Sequence, residues 1–208
     1  KRIGVGDTGL NTGGMGAISP VSFAGGDFLK KVEERVVIPT IEGLKKDNIP
    51  YKGFLFIGLM NVAGDPYVIE YNVRMGDPET ESVLPRLECD LVDLFLGVAN
   101  ENLAEKSFSI SPKTAVTVML VAGGYPGDYK KGDTITGLEN IRNSHLFHAG
   151  TKTESGRIET NGGRVLAVTA LEDSLEKAVS TALADAAKVR FEGAYFRSDI
   201  GTDLLGLV

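Results

Sequence analysis

The 208-residue chain has a single cysteine, no tryptophan and two histidines. One thiol, Cys89, can neither close an internal disulfide nor build a thiolate zinc site, which excludes a disulfide-framed secreted domain and a Cys-rich zinc module. Cys89 lies in LPRLECDLVDLF, an apolar helical context where an inert buried thiol is expected. No apolar run approaches the ~18 residues of a membrane span. The opening KRIGVGDTG also lacks the apolar core of a signal peptide. Positive charge is in deficit. The 22 Lys and Arg against 28 Asp and Glu leave a net charge of −6, which argues against a surface that binds nucleic acid by neutralising phosphates. The expectation is a cytoplasmic protein with neither nucleic acid nor membrane as partner.

What is present is ordinary apart from glycine. An apolar fraction of 42% and a charged fraction of 24% suit a folded globular chain. The length allows one large domain or two smaller ones. Glycine supplies 26 residues, well above the average of about 7%. The glycines do not recur every third residue, so a collagen helix is excluded. Six of them, Gly4, Gly6, Gly9, Gly13, Gly14 and Gly16, fall in the first sixteen positions.

Residues 1–20 read as a glycine-rich loop. Apolar Leu29, Val32, Val36, Val37, Ile41 and Leu44 then follow helical three-four spacing, predicting a helix over 27–47 that Pro39 kinks or splits. GFLFIGLM (53–60) and YVIEYN (67–72) are β-rich and joined by NVAGDP, a hairpin with its turn at Gly64 and Asp65. A second helix starts at Asp90, with Leu91, Leu94, Phe95, Val98 and Ala99 inward. SFSISPK (107–113) reads as a domain boundary. TAVTVMLVA (114–122) is a strand, and shorter strands are expected near 133–136, 144–149, 157–160 and 164–170. A last helix opens at Asp173, which has capping-box spacing to Glu176, and buries Leu175, Val179, Ala182, Leu183 and Ala186. The second half is thus an α+β unit of antiparallel strands and one helix.

The densest chemistry lies in VIEYNVRMGDPE (68–79). Side chains alternate along a strand, so Glu70, Asn72 and Arg74 share one face, about 7 Å apart, if the strand persists to 74. Such a row does not suit a buried sheet face. Glu and Asn are hard oxygen ligands for a Mg²⁺ that keeps waters and bridges phosphates, and Arg can hold a phosphate or carboxylate by two bonds. A solvated strand face with a surface ion pair is the other reading.

In DTGLNTGGMG (7–16), glycines would let main-chain N–H groups approach an anion. A plain irregular turn fits the same residues. It is not a Walker A loop, since GK[ST] is missing, nor a dinucleotide fingerprint following a strand. His145 and His148, three apart on a strand, point to opposite faces and form no metal pair. GYPGDY (124–129) reads as a β-turn, and NGGR (161–164) as another tight turn with Arg164 beside it. No Ser/His/Asp or Cys/His nucleophile arrangement is visible.

Taken together, NTGGMGAISP, RMGDPETES, and GYPGDYKKGD, HAGT, GGRVLAVTA and FEGAYFRSDIG in that order resemble the phosphoribosylamine–glycine ligase family, the glycinamide ribonucleotide synthetases, along essentially the whole chain. The resemblance implies an α+β fold. An ATP-grasp carboxy-terminal half (antiparallel sheet with helices) over 1–106 is followed by a smaller α+β carboxy-terminal domain over 107–208. It implies ATP-dependent ligation of glycine to 5-phosphoribosylamine through a glycyl phosphate, a step of purine synthesis, with ATP as co-substrate and Mg²⁺ or Mn²⁺ as cofactor. It makes Glu70 and Asn72 metal ligands, and Arg74 and Asp77 catalytic. It gives Asp7, Asn11, Thr12, Gly13, Gly14, Met15, Gly16, Gly76 and Pro78 to substrate and phosphate.

The chain departs from the family pattern at Leu10, where Pro is usual, and at Val5, where an acid is frequent. FIGLM also lacks the acid that many ATP-grasp enzymes carry on that strand. The family's amino-terminal domain and the half that holds adenine have no counterpart. The chain is therefore expected to be a fragment that needs the rest of the same enzyme as its partner and has no synthetase activity alone. A non-catalytic module on the same scaffold and a different ATP-grasp ligase, such as one like biotin carboxylase, are the other readings. Retention of Glu70, Asn72 and Arg74 together weighs against the first. The match from GYPGDY to FRSDIG weighs against the second.

Overall fold

The structure, a computed structural model, describes residues 1–206. In chain order its elements are β1 (Arg2–Gly4), β2 (Thr8–Asn11), β3 (Gly16–Ser19), α1 (Gly26–Val32), α2 (Ile38–Lys46), β4 (Phe56–Val62), β5 (Asp65–Asn72), α3 (Thr80–Val83), β6 (Leu87–Glu88), α4 (Leu91–Ala99), β7 (Ser109–Ile110), β8 (Thr114–Val121), β9 (Ser144–His148), β10 (Thr151–Glu154), β11 (Arg157–Thr160), β12 (Arg164–Glu172), α5 (Leu175–Ala186) and α6 (Thr202–Leu205). They form two compact units. One joins Lys1–Pro20, Asp77–Leu87 and the chain from Ile110 onward; the other joins Val21–Gly76 and Glu88–Ser109.

The first unit is built on an antiparallel sheet in the order β3-β8-β12-β9. The β-branched run of β8 is covered on both faces, so nearly all of it is buried. Val116, Val118 and Leu120 join Val168 of β12 and Ala178, Val179 and Ala182 of α5 in one cluster. Met119 and Val121 face the other way and pack with Met15 and Ala167. Thr117 and Thr169 are fully buried and satisfy each other through a 2.8 Å hydroxyl hydrogen bond, as buried polar groups must.

Helix α5 is capped by Ser174, whose Oγ accepts from the Lys177 amide, and not by Asp173. The serine is the residue with extended backbone immediately before the first helical turn. Of the residues expected inward on α5, Val179, Ala182 and Ala186 are buried and Leu175 and Leu183 pack at the cluster's edge, while Ala178 and Asp185 are buried in addition.

Residues 1–20 are more ordered than a glycine-rich loop. β1 and β2 form a hairpin, and β3 joins the sheet edge beside β8. Local propensity there is weak, but β8 offers a β-branched partner strand, and tertiary pairing overrides propensity. Residues 133–136 make only isolated bridges, Thr134 to Glu159 and Thr136 to Arg190. Residues 157–160 also pair with β10, through a tight turn at Ser155 and Gly156, both with positive φ.

In the second unit the predicted 27–47 helix is split. A wide π turn, Glu33–Val37, separates α1 from α2, and Pro39 sits in the first turn of α2. Proline has no N–H to donate and its ring crowds the carbonyl four residues back, which falls within that wide turn. Of the six apolar residues expected on its buried face only Val36 is buried; Leu29 and Ile41 are about half exposed. The hairpin β4–β5 forms, with its two-residue turn at Ala63 and Gly64, both at positive φ. Asp65 is already paired with Val62, one residue earlier than the sequence reading.

Asp90 caps α4 by accepting from Val92 and Asp93. Phe95, expected inward, is half exposed and meets Phe54 edge-on. Cys89 is only partly buried; it lies at a bend between β6 and the Asp90 cap rather than inside the helix.

Candidate functional site

Each unit carries one group of the residues singled out in the sequence. In the second unit, β5 places Glu70 and Asn72 on one side of the hairpin, and the Asn72 side-chain amide donates to Glu70 Oε1 at 3.1 Å. The strand does not persist to Arg74. Asn72 pairs with Phe56, the first residue of β4, so the ladder runs out of partner there. Arg74 is exposed and turns its guanidinium to the Met75 carbonyl, 2.8 Å away. The expected row of three is a row of two with the arginine released beyond it.

The pairing also contains a bulge. Gly58 faces Glu70 while Leu59 faces Val68, which leaves Ile69 as an extra residue and breaks the alternation at that point. Glu70 stands over the bare Cα of Gly58, where a Cβ would come within 3.0 Å of Glu70 Cγ. An exposed carboxylate beside a carboxamide, with no side chain crowding them from below, is a donor pair that fits a hard divalent cation. No three His, Cys, Asp or Glu side chains are grouped for a metal among the described residues. A cation here would complete its shell from water or phosphate oxygens.

The first unit brings Gly13, Gly14, Asp77 and Pro78 together. Gly14, at φ 133°, packs against the Pro78 ring. Arg164, the first residue of β12, donates from Nη1 to the Asp77 carbonyl at 2.9 Å and lies 3.1 Å from its carboxylate. The amides the sequence reading reserved for an anion are engaged within the chain. Gly13 N–H donates to the Tyr125 hydroxyl and Gly14 N–H to Thr12 Oγ1, both at 3.0 Å. Thr12 Oγ1 in turn donates to the Lys1 carbonyl. Asn11 is exposed in β2, Met15 is buried among Met119 and Val121, and Gly16 opens β3.

Asp7 sits in the β1–β2 turn at φ 54° and accepts from Arg197 Nη1 at 2.7 Å. Arg197 is 6% exposed and is gripped by both oxygens of Asp199. Asp199 also accepts from Gly6 N–H at 2.8 Å. The hydrogen bonds from Arg197 hold the Asp199 carboxyl at about 2 and the Asp7 carboxyl below its usual range, and raise Arg197. Glu81, in α3, has the opposite character. Burial pushes its carboxyl up, the Asp77 charge adds to this, and Arg164 works against it. Its Oε2 is buried without a hydrogen-bond partner.

Sequence reasoning passed over Gly58 as a strand residue and left Tyr125 in a β-turn. It gave no role to Arg197 or Asp199. Arg197 and Asp199 stand two apart, but every other partner named for these residues lies 12 to 195 positions away in the chain, beyond the reach of a local pattern. His145 and His148 lie three apart on β9, and His148 Nδ1 hydrogen-bonds the Thr151 hydroxyl.

This arrangement sits in a recognised class. The model of the phosphoribosylglycinamide synthetase ATP-grasp (A) domain matches residues 1–80, and that of the phosphoribosylglycinamide synthetase C domain matches residues 115–203. The chain belongs to the phosphoribosylglycinamide synthetase family. It is 49% identical over 203 residues to the bifunctional purine biosynthetic protein PUR2,5 of Pichia angusta, covering 96% of this chain and 26% of that protein. It is 45% identical to the phosphoribosylamine–glycine ligase of Pasteurella multocida, covering 97% of this chain and 47% of that protein. The crystal structure of the phosphoribosylamine–glycine ligase of Thermotoga maritima superposes with a TM-score of 0.81 at 39% identity, over 96% of this chain and 49% of that one. The chain therefore spans about half the length of the single-activity relatives it matches. Among the described residues no helix is long and apolar enough to cross a membrane.

Proposed function

We propose that the polypeptide carrying this chain ligates glycine to 5-phosphoribosylamine at the expense of ATP, yielding glycinamide ribonucleotide, ADP and phosphate. The observation that carries this reading is the pair of domain matches in family order, at 45–49% identity to proteins named for ligation and purine synthesis. A glycine carboxylate oxygen attacks the γ-phosphorus of ATP and ADP leaves. The amine of phosphoribosylamine then attacks the acyl carbon, phosphate leaves, and the amine loses a proton.

No step needs a covalent enzyme nucleophile; positioning and charge neutralisation suffice. Glu70 and Asn72 would hold the cation, Mg²⁺ or Mn²⁺, which when bound neutralises phosphate charge. Arg74 is exposed and no acid among the described residues pairs with it, so its charge is left for a phosphate or carboxylate. Asp77, Gly76 and Pro78 and the stretch 7–16 are assigned to the substrates, with Met15 and the engaged amides of Gly13 and Gly14 supporting the loop from beneath. In sequence terms, residues 1–106 belong to the ATP-grasp portion and residues 107–208 to the carboxy-terminal domain of the synthetase, working in the cytoplasm.

The test is coupled ADP release. The full-length polypeptide should release ADP only when glycine and phosphoribosylamine are both supplied, and the 208-residue chain alone should release none. ADP release by the full-length polypeptide that ignores either substrate would refute the assignment.

A further inference from the structure

The glycine loop and the Asp77 turn are held by two side chains from the carboxy-terminal part of the chain. Arg164 is mostly buried, with 20% of its side chain exposed, and its main chain is pinned where the Gly150 amide donates to its carbonyl at 2.9 Å. Its guanidinium lies against Gly13, where a Cβ would be 2.9 Å from Cζ. The same group bonds both the carbonyl and the carboxylate of Asp77. An exposed ion pair alone contributes little. Binding a main-chain and a side-chain oxygen of one residue fixes its orientation as well as its place.

Tyr125 is the second of these side chains. Its hydroxyl accepts the Gly13 amide, and its ring occupies the space over Gly163, where a Cβ would stand 2.3 Å from the ring. A Cβ at Gly13 would meet the Arg164 guanidinium and one at Gly14 the Pro78 ring, while the Tyr125 phenol takes the Gly13 amide.

We propose that Tyr125 and Arg164 are positioning residues that lock Gly13 and Asp77 together, so that the loop and the turn meet substrate as one piece. This rests on the ligase reading for the consequence in turnover, but the lock itself is a property of the chain. It gives the carboxy-terminal domain a part in the reaction although it supplies no reacting group.

The test uses the full-length polypeptide with Tyr125→Phe, Arg164→Gln, Arg164→Lys and Asp77→Asn. Hydrogen exchange in peptides covering residues 12–15 should speed up about tenfold in Tyr125→Phe and Arg164→Gln, while peptides from β8 and β12 exchange as in the unmodified protein. In ligation, Arg164→Gln should lower kcat tenfold or more with the KM for ATP within twofold, and Arg164→Lys should recover part of the loss. Arg164→Gln combined with Asp77→Asn should be no slower than the slower single variant. Unchanged exchange at 12–15 overturns the lock whatever the activity. Faster exchange throughout β8 and β12, or fully additive kcat losses, overturns the positioning role. Absence of ligation by the unmodified polypeptide would instead sink the ligase reading, a separate outcome.

Discussion

Glu70 and Gly58 face each other across the β4–β5 hairpin, and the missing side chain of Gly58 is what lets the Glu70 side chain lie where it does. Alanine inside a strand is normally a gain over glycine, by roughly 0.5–1 kcal/mol. Gly58→Ala should therefore leave the fold as stable or more so, while its Cβ, 3.0 Å from Glu70 Cγ, displaces the carboxylate. Mn²⁺ binding to the full-length polypeptide, followed by water proton relaxation, should weaken several-fold. Glu70→Gln should weaken it by tenfold or more. Unaltered Mn²⁺ affinity in both variants would remove this pair from the metal site.

The Arg197–Asp199 pair gives the first unit an acid-labile tie. The Asp199 carboxyl is held at about 2 in the folded chain, below its value near 3.9 when unfolded. A depressed carboxyl contributes stability that is whole above the unfolded value and is lost as pH falls from about 4 through about 2. The contribution is at most about 3 kcal/mol, lessened where solvent reaches the pair. Asp199→Asn should cost roughly 2–3 kcal/mol at pH 7, since it leaves the buried guanidinium with weaker compensation, and much less at pH 2. Urea unfolding at the two pH values measures this, and an equal cost at both would contradict the pairing.

Glu81 runs the other way. Burial raises its carboxyl, so its ionised form opposes folding. The stability associated with the neutral form is present below the unfolded value, near 4.3, and is lost as pH rises through the higher folded value. Glu81→Gln should raise the melting temperature at pH 7 and change it little at pH 4. A lower melting temperature at pH 7 would mean that the charge is compensated.

Arg74→Lys should be damaging in the full-length polypeptide although it preserves charge, because an ammonium cannot make the two parallel bonds of a guanidinium. A drop in kcat/KM of tenfold or more is expected. Wild-type kcat/KM would show that a point charge suffices there.

The parts of the structure legible in the sequence are those set by short-range periodicity. The β4–β5 hairpin, the β8 strand and the inward Val179, Ala182 and Ala186 of α5 follow from spacing over a few positions, whereas buried Asp185 does not. Glu70 and Asn72 come together because two-residue spacing survives a bulge placed before both. Arg74 leaves the row because β4 starts at Phe56 and offers no further partner, a limit set by the other strand. The half-exposed stripe of Leu29 and Ile41 shows that periodicity marks an apolar face without showing what lies against it. The glycine loop was the least legible. Its glycines look like room for an anion, whereas Gly13 leaves room for Arg164 and Gly14 for Pro78, and Tyr125 takes the Gly13 amide, all brought there by folds of the chain 64 to 151 residues long.

The central claim is that glycine is activated through its carboxylate. It is tested most directly by supplying the full-length polypeptide with glycine labelled by ¹⁸O in both carboxylate oxygens, together with ATP and phosphoribosylamine. If the carboxylate attacks the γ-phosphorus and phosphate is then displaced from the acyl carbon, each phosphate released carries one ¹⁸O. Phosphate free of the label, with ligated product formed, would contradict the account.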